Sequence, residues 1–156
     1  MKHLRFIISI SILALIGCAE SKDSRQLDSD EFETKEERIA ALKNEIIFQS
    51  DFDNAEFELF NVNGFSNSRA SLPGASSWDY KFAIKVNPAD IDNWTKGMSK
   101  GKPTDYNFVW TKEIVKERAP EWTTNSQPEF YTRKGDNVTM LIYRFEGILF
   151  KRIITN

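Results

Sequence analysis

The chain has 156 residues, 21 basic and 23 acidic side chains, 40% hydrophobic residues, one cysteine and one histidine. That length suits one domain with a core large enough to need no disulfides, and a net charge of −2 argues against the basic faces of a nucleic-acid binder. Because His3 and Cys18 are the only such residues, imidazole triads and Cys/His zinc sites are excluded by inventory.

Met1–Arg5 carries Lys2 and Arg5, and Phe6–Ile16 is an unbroken run of apolar residues and serine. A basic start, about 7–15 apolar residues and small residues at a cut site make an export signal. The run is too short to span a bilayer, which takes roughly 20 apolar residues. Leu15-Ile16-Gly17-Cys18 closes it and resembles the lipobox of bacterial lipoproteins. The resemblance implies that residues 1–17 are removed as a signal peptide, that Cys18 is acylated, and that the lipid bilayer is a partner through those chains. Ala19, in place of Asp after the cysteine, implies the outer membrane if the host is diderm. The mature chain would have 139 residues, with 19 basic side chains against 23 acidic, and no imidazole or free thiol.

Residues 18–33 hold six acids and two bases, with Leu27 and Phe32 as the only sizeable apolar side chains. So little apolar surface does not offset ordering entropy, and a disordered tether is expected there. The remaining residues, 34–156, are expected to form a single domain. Thr34 and Glu37 fit a capping box, and Ile39, Leu42, Ile46 and Ile47 form a stripe, which predicts an amphipathic helix over 34–48 docked on that domain. Its polar face mixes Glu36, Glu37 and Glu45 with Lys35, Arg38 and Lys43, unlike the basic face of a membrane-lying helix. Asp51-Phe52-Asp53-Asn54 reads as a turn, because Ala55, Glu56 and Val62 stand where a calcium loop needs Asp or Asn, Gly and Glu.

Ala55–Val62 alternates as a strand, with Phe57 and Leu59 on one face. Residues 63–77 are rich in Gly, Asn, Ser and Pro and read as a long loop, of the kind that is often functional. With Phe65 and Arg69 it is the first expected contact surface. Trp78–Val86 alternates strictly, as a strand buried on one side does. Asn87, Pro88 and Asp90 open a short helix over 88–98, with Ile91, Trp94 and Met98 as its stripe. Residues 99–105 read as a loop. Residues 106–118 suit a helix through Val109, Trp110 and Ile114, ended by Ala119-Pro120, although 106–110 alone also suits a strand. Trp122 lies in an irregular segment and joins the expected contact surface. Residues 129–133 suggest a short extended piece. Val138–Phe145 and Ile148–Thr155 form a hairpin across Glu146-Gly147, and the first of these, apolar on both sides, belongs at the sheet centre.

The expected fold is α+β: an antiparallel sheet of about four strands with two or three helices packed on it. No glycine-rich phosphate loop occurs, so no cofactor is expected, and no metal. What is left for catalysis is a carboxylate pair drawn from Asp79, Asp90, Asp92, Glu113 and Glu129, as in a polysaccharide hydrolase, or a Ser-Lys dyad. The expected function is non-catalytic: a binding or interaction protein of the cell envelope with a protein or glycan partner. An immunity-like inhibitor acting through the 63–77 loop is a specific form of it.

Overall fold

The computed structural model describes residues 25–65, 77–103, 106–133, 135 and 137–155. Among these residues are seven strands: β1 Gln26–Asp28, β2 Phe52–Asn61, β3 Trp78–Val86, β4 Ser99–Gly101, β5 Glu129–Arg133, β6 Asn137–Tyr143 and β7 Ile148–Thr155. Three short helices, α1 Lys35–Glu45, α2 Ile91–Thr95 and α3 Val109–Glu113, are joined by 3-10 turns at Ser29–Glu31, Pro88–Asp90 and Lys116–Trp122. The strands form one sheet in the order β1-β2-β3-β7-β6-β5-β4, and every neighbouring pair is antiparallel. The fold is therefore mixed α/β around a single antiparallel sheet, with seven strands where about four are expected.

Alternation along the strands decides which element covers which face. On the first face, Phe57, Phe82, Ile84, Met140, Ile142 and Leu149 form one core, closed by Leu42 of α1 and by Ile91 and Trp94 of α2. On the second, Ala83, Leu141, Ile148, Phe150 and Phe130 meet Trp110 of α3 and Trp122 of the last 3-10 turn. β6 feeds both clusters from between β5 and β7, as its two apolar sides require.

Local chemistry accounts for most boundaries. The capping box of α1 forms, with Glu37 N donating to Thr34 Oγ1 at 3.2 Å and Thr34 N to Glu37 Oε2 at 3.1 Å. The helix stops at Glu45, short of the expected 48, because Ile46 turns extended, which leaves Ile47 87% exposed. Residues 51–54 are not a turn: β2 begins at Phe52 with a register shift between Phe52 and Asn54. The helix expected over 88–98 is a 3-10 turn followed by α2, and Gly97 at φ +72° separates it from Met98. Residues 99–101 pair with β5 instead of looping. The helix expected over 106–118 is α3, then a 3-10 segment that runs through Pro120, broken at Arg118 with φ −127°. The β6–β7 connection spans Arg144 to Gly147, because Tyr143 pairs with Ile148.

The expected tether also needs correction from residue 25 onward. Leu27 pairs with Leu59 in the β1–β2 ladder, and Leu27 and Phe32 pack against the first core. Asp28 accepts a hydrogen bond from Asp30 N at 2.9 Å and so caps the 3-10 turn. Two apolar side chains suffice here because the edge of β2 supplies the backbone partners that the segment cannot provide for itself. β1 covers only Glu58 to Phe60 of that edge, and among the described residues no strand lies on the outer side of Phe52 to Phe57, whose other side pairs with β3.

Candidate functional site

β7 runs between β3 and β6, and Lys151 stands in its middle, opposite Phe82 on one side and Met140 on the other. Its neighbours on the same face, Leu149 and Ile153, belong to the apolar core or pack on it. Lys151 is thus an ammonium at a position the pattern reserves for an apolar side chain, and it is only 7% exposed. Its Nζ lies 5.7 Å from the ring centroid of Trp94, but it has no ion pair or hydrogen bond with any described residue. Such a ring contact offsets only part of the cost of burying a charge. Burial, with a smaller contribution from the Arg133 charge, pulls its pKa down to about 8.

Beyond Trp94, toward the end of the sheet where β3 begins and β7 ends, a groove of about 500 Å³ opens beside Lys151. Trp78, Val138 and Ile153 give it apolar walls, and Arg133 and Asn137 contribute polar ones. β5, β6 and β7 bring a single carboxylate to this face, Glu129, and it is taken: Arg144 Nη2 lies at 3.1 Å, Tyr131 Oη at 2.8 Å and Lys100 Nζ at 3.3 Å. These donors, Arg144 foremost, hold the Glu129 carboxyl down at about 2. An anion brought by a ligand would meet in Lys151 a cation with no counter-charge among the described residues.

Arg133 also borders a groove of about 610 Å³ on the second face, walled by Tyr106, Phe108, Trp110 and Arg152. There the charge is spent internally, because Arg152 grips Asp79 through two hydrogen bonds of 2.9 and 2.7 Å. The rings of Tyr106 and Phe108 pack on Phe130, with centroids 4.8 and 5.6 Å away.

A second buried charge cluster seals the uncovered edge of β2. Glu56 is fully buried, with Arg38 Nε 3.4 Å from Oε1 and Arg118 Nη1 3.1 Å from Oε2. Desolvation pushes the Glu56 carboxyl upward, and Ser29 and the two guanidinium groups oppose that shift. Arg38 Nε also donates to Ala55 O at 3.1 Å, Arg118 reaches Asp30 at 2.7 Å, and Asn54 Nδ2 donates to Glu121 Oε2 at 2.8 Å. This network ties α1, β2 and both neighbouring 3-10 turns together, and its role is structural.

The carboxylate-pair idea meets similar commitments. Asp28, Glu31, Glu58 and Asp79 line one groove of about 360 Å³. Asp28, pushed up by burial, caps a turn; Glu58 holds Lys81, Asp79 holds Arg152, and Glu31 has a contact of its own. Asp51, Asp53, Asp90 and Glu146 line another groove, but Glu146 accepts from the Asn125 and Ser126 amides at 2.8 Å each and from the Ser126 hydroxyl. Those donors hold it at about 2, unfit to give up a proton at neutral pH. Among the described residues, no group of three or more His, Cys, Asp or Glu side chains is placed to hold a metal ion.

No family model, curated protein or solved structure matches the chain. Of the residues singled out in the sequence, Cys18 and Arg69 lie outside the described residues. Phe65 packs on Tyr80 with ring centroids 6.0 Å apart, at the margin of the first core. Trp122, expected at a contact surface, is buried against Phe150 with Lys85 over its ring, and its Nε1 has no hydrogen-bond partner among the described residues. Lys151 was not among the expected site residues. Its signal is present in the ILFKRII run, where a lysine interrupts the alternate series Leu149, Lys151, Ile153 on the inward side.

Proposed function

We propose that this chain is an exported bacterial lipoprotein, acylated at Cys18, whose domain binds an envelope protein or glycan without catalysis. Leu15-Ile16-Gly17-Cys18 directly behind an eleven-residue apolar run carries the reading. A run of that length directs export but does not stay as a span. Among the described residues no helix is long and apolar enough to cross a membrane, so acyl chains would supply the attachment. The outer membrane is the proposed address in a diderm host, on the strength of Ala19.

Two observations support binding over catalysis. After removal of residues 1–17 the chain has no imidazole and no free thiol, and the carboxylates of the groove between β1 and β3 are all engaged within the protein. Growth of a bacterial host expressing the full chain on radiolabelled palmitate should label it, and Cys18→Ser should abolish the label and leave the leader uncleaved. An unlabelled chain with an intact amino terminus would overturn the proposal of acylation. Affinity capture with the acylated protein should enrich one envelope protein or glycan over a lipoprotein control.

A further inference from the structure

We propose that the groove beside β7 binds an apolar molecule through a carboxylate, with Lys151 as its buried counter-charge and Trp78, Val138 and Ile153 against its apolar body. This goes beyond the binding of an envelope protein or glycan and is independent of whether Cys18 is acylated.

The uncompensated cation comes first. An ionised group nine-tenths buried is ordinarily paired or neutralised, yet Lys151, 7% exposed, has no acidic partner among the described residues. The elements around it carry little else that ionises. β3 brings Trp78, Tyr80 and Phe82, β6 brings Val138 and Met140, and α2 brings Trp94. β5 brings Tyr131, Arg133 and Glu129, the last held by Arg144, Tyr131 and Lys100, and α1 brings Glu45, whose charge acts on Tyr80. Tyr80 and Tyr131 are both pushed above the ordinary tyrosine value, so neither supplies an anion near neutral pH. Arg133 is a second cation beside the same groove, but it already has a contact within the protein.

The groove then selects the rest of the ligand. About 500 Å³ falls within the range of small-molecule sites, roughly 300–1,000 Å³. One buried ammonium balances one negative charge, and Arg133 already has a contact within the protein. A carboxylate matches that single charge, whereas a phosphate dianion would bring an excess into an apolar wall.

The probe is 3-phenylpropionate, titrated calorimetrically into the full chain in a non-ionic detergent, with 3-phenylpropan-1-ol and benzylphosphonate as controls. The acid should bind, with the alcohol at least about tenfold weaker and the phosphonate weaker than the acid. Raising the pH from about 7 to about 9 takes the protonated fraction of Lys151 from roughly nine-tenths to one-tenth, so affinity for the acid should fall about tenfold. Lys151→Met should lose the acid, and Lys151→Arg should keep it. Equal binding of acid and alcohol, an affinity indifferent to pH, or no binding of the acid would overturn the proposal. Should Lys151→Met fail to fold, the pH series on the unaltered chain decides alone. An acid that fails to bind while affinity capture still recovers an envelope partner removes this site but not the binding function.

Discussion

Lys151→Met removes a buried charge and keeps an unbranched apolar stem, so it isolates what the ammonium does to the fold. The folded chain holds this amine at about 8, against about 10.5 when it is exposed. Below pH 8 both folded and unfolded chains carry the proton, and the folded state bears the full cost. Between 8 and 10.5 the folded chain releases the proton first, the unfolded state binds more protons, and stability rises with pH. At about 1.36 kcal/mol per pH unit the gap is worth about 3 kcal/mol at pH 7, and about 2 kcal/mol of it is recovered by pH 9.5. The methionine variant should therefore be more stable than the original by about 3 kcal/mol at pH 7, with no rise toward pH 9.5. Urea unfolding followed by far-UV circular dichroism at constant ionic strength measures both. The series stops before Tyr80 and Tyr131 ionise, since their raised values would begin to oppose the trend. A variant less stable at pH 7, or parallel pH curves for the two proteins, would refute the reasoning.

Three further outcomes follow from other sites. Arg38→Met leaves Glu56 with one guanidinium partner and strips the donor from Ala55 O, so denaturant titration should show a loss of about 3–5 kcal/mol; a loss below about 1 kcal/mol would mean that the network is not coupled to the fold. Glu129 is held at about 2, chiefly by Arg144, so its stabilisation is complete above the ordinary carboxyl range and disappears as pH falls toward 2. Thermal unfolding of Glu129→Gln should accordingly depend less on pH below about 4.5 than that of the parent, and identical acid profiles would count against the ion pair. Gly147 adopts φ +67°, and a Cβ there would clash with the Val86 carbonyl oxygen. Gly147→Ala should cost more than the roughly 1–2 kcal/mol of a left-handed residue, because backbone must also move, and an unchanged denaturation midpoint would contradict that contact.

Where side-chain pattern alone determines an element, the sequence carried it. β3 runs over the expected residues because its alternation is unbroken, β7 does so although Lys151 breaks its inward series, and β6 is an inner strand, one place from the centre, because it is apolar on both sides. The capping box set the start of α1 for the same reason: donor and acceptor lie within four residues of each other. The elements that escaped depend on distant partners. β1 and β4 are three residues long and have no apolar period of their own; each exists because a neighbouring strand offers its edge. Trp122 reads as a surface residue between two prolines, yet Phe150 and Lys85, distant in sequence, enclose it. The groove was illegible for the same reason, since it takes β3, β5, β6 and β7 together to show Lys151 as a cation with no acidic partner among the described residues.

The brevity of β1 and β4 has a consequence for how copies of this chain behave when crowded. Both margins of the sheet end in three-residue strands, and the longer bare stretch of β2 is obstructed where Arg38 occupies the Ala55 carbonyl. A foreign extended segment finds too few free amides and carbonyls in line to zip on, so lateral growth into a shared sheet stalls after a few hydrogen bonds. Copies of this chain are thereby kept from merging edge to edge into one continuous sheet.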